Sequence, residues 1–125
     1  MGSIVMGLVA GLLCLWGVSG LKRMLGMDDS LDVFGVHGVG GIVGALLTGV
    51  FASASLGGSG YAEGVGMAAQ VGRQFAAIAV TCAWSGVVTG ASLWLVSKAT
   101  ALRVDAETET DGLDLALHDE RGYNL

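Results

Sequence analysis

The stretch that decides the fold runs from Asp28 to Phe51 and reads Asp-Asp-Ser-Leu-Asp-Val-Phe-Gly-Val-His-Gly-Val-Gly-Gly-Ile-Val-Gly-Ala-Leu-Leu-Thr-Gly-Val-Phe. It opens with three carboxylates and continues as an apolar, glycine-rich segment with one titratable side chain, His37. Acids at a helix N-terminus favour the positive end of its dipole, and Asp or Ser can cap it. We therefore expect a helix over about residues 31–52 that places one imidazole in an apolar environment.

The composition around this stretch indicates a membrane protein. Of the 125 residues, 53% are apolar, 22 are glycine and none is proline, which suits closely packed membrane helices better than a soluble core. The net charge of -5 belongs to one end: Asp105 onward holds seven acids and one base, against four acids and five bases before it. No basic patch with interleaved aromatic residues is present, so nucleic acid is a poor candidate partner.

Two further charge-poor segments are long enough to cross a bilayer, which takes about 20 apolar residues. They cover about residues 1–21 and about residues 70–97, and a glycine-rich loop precedes the latter. We predict an all-α membrane protein with three transmembrane helices in residues 1–104 and a tail in residues 105–125. A water-soluble three-helix bundle is the alternative, but three short helices cannot cover one another's apolar surface on every side.

The basic residues predict the orientation of the chain. Lys22 and Arg23 follow the first span, and Lys98 and Arg103 follow the third. Two spans separate these pairs, so both pairs lie on one side, which the positive-inside rule makes cytoplasmic. The tail is then cytoplasmic, in a multi-pass protein of the cell inner (plasma) membrane.

Helical periodicity places His37 on a stripe of small and polar side chains along the second span. The stripe comprises Ser30, Phe34, His37, Gly41, Gly44 and Thr48, and the third span has a similar stripe with Gln70, Gln74, Ala77, Thr81 and Trp84. Ionisable groups inside spans usually face an interior or a water path. The stripe therefore makes Phe34, His37 and Thr48 candidate pore-lining or proton-handling residues, while a hydrogen-bonded structural histidine remains the alternative.

The glycines of the second span have a structural interpretation. Gly40 and Gly44 have the small-xxx-small spacing that favours close helix contact in lipid, and Gly41 lies beside them. We expect all three to be helix-packing positions.

Other patterns predict no chemistry. Gly64-Val-Gly-Met-Ala-Ala69 fits a dinucleotide-binding pattern, but no strand precedes it. The acids at 28, 29 and 32 are better explained as helix caps than as a divalent-ion site. Cys14 and Cys82 have no metal-binding spacing and are expected to be small buried apolar groups. No nucleophile–base–orienter set can be assembled, so we predict no enzyme, metal or cofactor.

The segment Asp-Val-Phe-Gly-Val-His-Gly-Val-Gly-Gly-Ile-Val-Gly, from Asp32 to Gly44, resembles the tenth-helix signature of the ammonium transporter (Amt/Mep/Rh) family. Residues 15–23 resemble the end of the ninth helix, and residues 70–97 resemble the eleventh. The tail from Gly112 to Tyr123 resembles the family's cytoplasmic ending, so the resemblance covers essentially the whole chain.

The resemblance implies the C-terminal part of a transporter, with the last three helices of an eleven-helix fold. The family forms homotrimers, and each subunit conducts ammonium as ammonia plus a proton through a hydrophobic pore. His37 then corresponds to the second histidine of a mid-membrane pair whose first member lies on the fifth helix, outside this chain. The implied surroundings are ammonium or ammonia as substrate and a lipid bilayer.

The resemblance also implies a regulatory tail that contacts the neighbouring subunit and responds to a PII-type signalling protein. The residues that carry this role are Gly112, Leu113, Asp114, His118, Glu120 and Tyr123. Two alternatives stay open: a stand-alone membrane fragment that acts as a scaffold or regulatory docking element, and an inactive truncated gene product.

Overall fold

The computed structural model describes residues 2–122, and every regular element in that range is helical. The predicted all-α fold is confirmed, because three of its helical segments are long and apolar enough to cross a membrane. The elements are α1 (Gly2–Trp16), a π-helical turn (Gly17–Leu21), α2 (Lys22–Leu25), a second π-helical turn (Phe34–Gly38), α3 (Val39–Phe51), a 3₁₀ turn (Ala54–Leu56), α4 (Met67–Ser97), α5 (Ala106–Asp111) and α6 (Leu113–His118). The chain divides after Cys82 into two compact units.

The three spans are Gly2–Leu25, Phe34–Phe51 and Met67–Ser97. The first continues past Leu21, where we expected its end, because Lys and Arg can reach water from a helix terminus along their aliphatic stems. It ends at Gly26, whose φ of 59° is the left-handed conformation that glycine adopts at helix C-termini. Backbone bonds from Gly26 N to Arg23 O and from Met27 N to Lys22 O close this end.

The first two spans touch where their π turns meet, at Gly17 and Gly35. A Cβ on Gly17 would stand 2.9 Å from the Gly35 carbonyl oxygen, and one on Gly35 would stand 2.8 Å from the Val18 nitrogen. Both glycines are buried. The two backbones therefore pass in direct contact, which only a residue without a side chain permits at this distance.

A glycine-rich connection of residues 57–66 joins the second span to α4, as predicted. The Tyr61 hydroxyl holds it in place by sharing its one hydrogen between the carbonyl oxygens of Gly49 and Val50, at 2.9 and 3.0 Å. The Gly60 N–H donates to the Ala52 carbonyl oxygen at 2.8 Å. This loop is thus tied to the last turn of α3.

The spans bury little of their apolar surface within the described part of the chain. No hydrophobic side chain of residues 2–122 is buried, and large ones such as Leu12, Phe75 and Trp84 are about two-thirds exposed or more, at 69, 65 and 72%. Exposed apolar surface on this scale marks contact with lipid or with other protein. The sequence expectation that Cys14 and Cys82 are buried is wrong here: Cys14 is partly covered and Cys82 is exposed.

Candidate functional site

His37 lies in the π-helical turn Phe34–Gly38, and the acidic residues before this turn organise its start. Asp29 caps it: the backbone N–H groups of Val33 and Phe34 donate to the two oxygens of its carboxylate, at 2.9 and 2.8 Å. The hydrogen bond from Phe34 is the main reason that the pKa of Asp29 is lowered, with burial acting in the opposite direction and Val33 and Lys22 adding to the lowering. The predicted capping role of the acids thus falls to Asp29.

The side chain of Asp32 forms an ion pair instead of the helix cap that the sequence predicted. Its carboxylate Oδ1 lies 2.7 Å from the Lys22 Nζ, so this ion pair connects the end of the first span to the start of the second. Its φ is 55°, a left-handed conformation that Asp tolerates better than most side chains. The chain therefore turns sharply at Asp32 and enters the His37 turn from there.

A groove of about 420 Å³ runs between the second span and the first half of α4, and His37 lies in its wall. The lining is mostly apolar, and four polar or thiol side chains interrupt it. The residues are Phe34, His37, Gly38, Gly41, Ile42 and Ala45 on one side and Gln74, Ala77, Ile78, Thr81 and Cys82 on the other. The groove could hold a small molecule beside one imidazole in a largely apolar setting.

A second groove, of about 560 Å³, borders the same turn. It shares Phe34, His37 and Gly38 with the first and is completed by the acidic connection, through Met27, Asp28, Asp29 and Val33. His37 therefore borders both an apolar groove and a groove with two carboxylates.

The structure brings some of the predicted second-span residues together and leaves others apart. Phe34, His37 and Gly41 share the groove, but Gly44 and Thr48 are not among its lining residues. The Thr48 hydroxyl donates to the Gly44 carbonyl oxygen at 2.8 Å. α4 approaches α3 at Gly49, where an added Cβ would stand 3.1 Å from the Gln74 side chain.

The three glycines that were predicted to pack against neighbouring helices differ in their surroundings. A Cβ on Gly40 would stand 3.0 Å from the Cys14 sulfur, so Gly40 faces the first span. Among the described residues, no atom of a neighbouring element lies within 4 Å of that position on Gly41 or Gly44. Gly17, Gly35 and Gly49 also make close contacts between helices, and the small-xxx-small spacing did not identify them.

Three features of the site were missed or only partly found from sequence. The third-span stripe contained Gln74, Ala77 and Thr81, which do share the groove, but Cys82 was read only as an apolar residue. The hydrogen bond from the Cys14 thiol to the Val36 carbonyl oxygen, within the His37 turn, was not foreseen. Nor were the two π turns, whose only sequence signal is a glycine at the point of crossing.

The predicted tail folds into two short helices. The side chain of Asp105 accepts from the Thr108 N–H and caps α5, and this bond is the main cause of the lowered pKa of Asp105. Arg103 pairs with Glu109 at 2.8 Å. Gly112 has a φ of 97° and separates α5 from α6, which contains Leu113, Asp114 and His118. Glu120 follows α6, and Tyr123 lies outside the described residues.

The sequence comparisons supply what the geometry cannot. The Ammonium Transporter Family matches residues 1–123. The chain belongs to this family. Ammonium transporter relatives include those of Bacillus subtilis and Aquifex aeolicus, each 42% identical over 97 and 99% of the chain, and of Corynebacterium glutamicum, 35% identical over 100% of it.

These members of the Ammonium Transporter Family are longer than this chain, which spans 30, 29 and 28% of their respective lengths. They are named as transporters rather than as enzymes, in agreement with the prediction of no enzymatic activity. The family match and the apolar helices together confirm a membrane protein.

Proposed function

We propose that this chain is the C-terminal part of an ammonium transporter, contributing the last three helices of an eleven-helix subunit. The subunit conducts ammonium as ammonia plus a proton and assembles as a homotrimer. The match of residues 1–123 to about 30% of the length of named ammonium transporters supports the family part of this proposal. The groove beside His37 supports the chemistry.

The observation that carries the proposal is the setting of His37. Its imidazole lines an apolar groove and has no hydrogen-bond partner within residues 2–122, so its nitrogens are available to a proton or a substrate. An apolar wall disfavours a cation and favours its neutral conjugate base. The imidazole takes the proton from ammonium and passes it on to the paired histidine, which lies outside this chain, and ammonia continues separately. Phe34 lines the same groove, and Thr48 lies further along the path.

The remaining parts of the subunit are proposed to complete this site. Gly41 and Gly44 have free space beside them, and we assign them as packing positions for helices outside this chain. Residues 1–104 form the transmembrane region and residues 105–125 the cytoplasmic tail, in the cell inner membrane. Lys22, Arg23, Lys98 and Arg103 support this orientation through the positive-inside rule.

A chimera tests the proposal. This chain replaces the matching segment of the Bacillus subtilis ammonium transporter, and methylammonium uptake is measured in cells that lack their own transporters. We expect uptake by the chimera and a fall of at least about tenfold for His37→Ala, as befits loss of a proton-transfer group. Ser3→Ala, at the far end of the first span, is the matched control. The proposal is contradicted if the chimera is inserted into the membrane but takes up no methylammonium. It is also contradicted if His37→Ala leaves uptake unchanged.

The tail supports a second candidate function, a docking element for a PII-type signalling protein or for the neighbouring subunit. Leu113, Leu115 and Leu117 are 44, 45 and 58% exposed, although they are interleaved with charges on a folded segment. A pull-down of a PII-type protein by the full chain and by a chain lacking residues 105–125 tests this role. Equal retention of the partner excludes the tail as the docking element.

A further inference from the structure

The peptide unit that leads into His37 is held from outside its own helix. The Cys14 thiol, on α1, donates to the Val36 carbonyl oxygen, with sulfur and oxygen 3.5 Å apart. That oxygen and the N–H of His37 belong to the same peptide plane. A group that fixes the Val36 carbonyl therefore fixes the direction in which the His37 backbone leaves it.

The helices around this thiol are shaped to bring it there. The crossing at Gly17 and Gly35 brings the two spans into backbone contact, one turn of helix from Cys14. Gly40 leaves space for the sulfur, because a Cβ at that position would stand only 3.0 Å from it. Three glycines thus surround the path by which Cys14 reaches the His37 turn.

A π turn makes such an external contact useful. Its i→i+5 bonds shift the backbone register, and Val39 N shares its donor between the carbonyl oxygens of Phe34 and Val36. A shared donor leaves each carbonyl less firmly bonded than in a regular α-helix, so a further donor to Val36 steadies the turn. The sulfur donor is weak, and its effect is on position more than on overall stability.

We propose that Cys14 is a positioning residue for His37: through the Val36 carbonyl, its thiol sets where the imidazole stands between the two grooves. The inference rests on the proposed role of His37 in proton transfer, because that role gives the position its functional meaning. Replacing the thiol by a group that cannot donate lets the turn relax, and the imidazole then meets a different balance of its apolar and acidic neighbours. The titratable groups beside it are Asp28 and Asp29 in one groove and Cys82 in the other.

The test follows the titration of both histidines by nitrogen NMR in the full chain reconstituted in lipid bilayers. The chain has two histidines, so His118, on the tail, is an internal reference. We expect Cys14→Ala to move the His37 midpoint by about 0.3 pH unit or more relative to His118, the scale of a weak S–H···O bond. Cys14→Ser, which keeps a donor, returns most of the shift.

Ser19→Ala is the matched control, because the Ser19 hydroxyl donates to Leu15 within the first span and not to the second. Gly40→Ala crowds the sulfur from the other side and gives a second route to the same shift if Cys14→Ala does not fold. An unchanged His37 midpoint in Cys14→Ala overturns the inference, as do equal shifts in Cys14→Ala and Cys14→Ser.

Uptake by the chimera separates this inference from the proposed function. If His37→Ala abolishes uptake but Cys14→Ala leaves both the His37 titration and the pH profile of uptake unchanged, only the role of Cys14 is lost. If His37→Ala leaves uptake unchanged, the proposed proton transfer by His37 is contradicted. The change in the His37 midpoint in Cys14→Ala still tests the contact between Cys14 and Val36. If the proposed function and the role of Cys14 both hold, Cys14→Ala lowers uptake about threefold and Cys14→Ser restores it.

Discussion

Lys22 and Asp32 form a 2.7 Å ion pair that joins the end of the first span to the start of the span that carries His37. Their side chains are 29 and 39% exposed, so the pair is partly shielded from water. Because the connection between the two spans is short, this pair and the Gly17–Gly35 contact together fix the position of the turn Phe34–Gly38 relative to the first span.

We expect the ion pair to contribute modestly to stability. A double-mutant cycle of Lys22→Met and Asp32→Asn should give a coupling energy of about 0.5–1 kcal/mol in the free energy of unfolding, the range for partly exposed pairs. Unfolding in mixed micelles measures it. Arg23→Met, at the exposed neighbouring base, is the control and should show no coupling to Asp32→Asn. Equal coupling for both bases would mean that only general charge attraction acts here.

Adding a methyl group at the crossing should separate the first two spans. Gly17→Ala and Gly35→Ala should each lower the free energy of unfolding by about 1–3 kcal/mol, because the new Cβ has no room against facing backbone. Gly11→Ala is the matched control, since no neighbouring atom of residues 2–122 lies within 4 Å of its Cβ position. The contact has no energetic importance if all three variants unfold alike.

The cap at Asp29 predicts a dependence of stability on pH. The pKa of Asp29 is lowered from 3.8 in the folded chain. Its stabilising effect is therefore complete above the ordinary value and is lost as the pH falls through the lowered value. Thermal unfolding in detergent, from neutral pH to about pH 3, should show a steeper acid loss for the native chain than for Asp29→Asn. Glu63→Gln, at an exposed acid of the glycine-rich loop, should keep the native slope.

The Tyr61 hydroxyl should hold the glycine-rich loop against the end of α3. Removing its shared hydrogen bond by Tyr61→Phe should cost about 1 kcal/mol and increase hydrogen exchange in residues 57–66. Ser55→Ala removes an exposed hydroxyl bond to Ser53 nearby and should leave the exchange unchanged. Identical exchange in Tyr61→Phe and the native chain would show that the glycines alone set the loop conformation.

The sequence was sufficient for features that depend on local composition. Charge-free length predicted the three spans, and helical periodicity placed Phe34, His37 and Gly41 on one face. It also predicted helix capping by the acids before the second span, which Asp29 performs. Each of these depends on a single element and its contact with lipid or water.

What the sequence did not predict depends on contacts between elements. The π turns arise where Gly17 meets Gly35, and nothing in either helix alone distinguishes these glycines from the others. Thr48 lies on the predicted stripe, but it is not among the residues that line the groove between the second span and α4. Cys14 has the sequence context of an apolar filler, and only the crossing of two spans brings its thiol to Val36.

The Gly17–Gly35 crossing has a consequence for the order in which the spans assemble. Each apolar span can be held by lipid by itself before it packs against the others. The crossing of Gly17 with Gly35 involves only the first two spans, so it can form before α4 has been synthesised. The His37 turn is then shaped during translation by the helix before it, and the far wall of its groove arrives last.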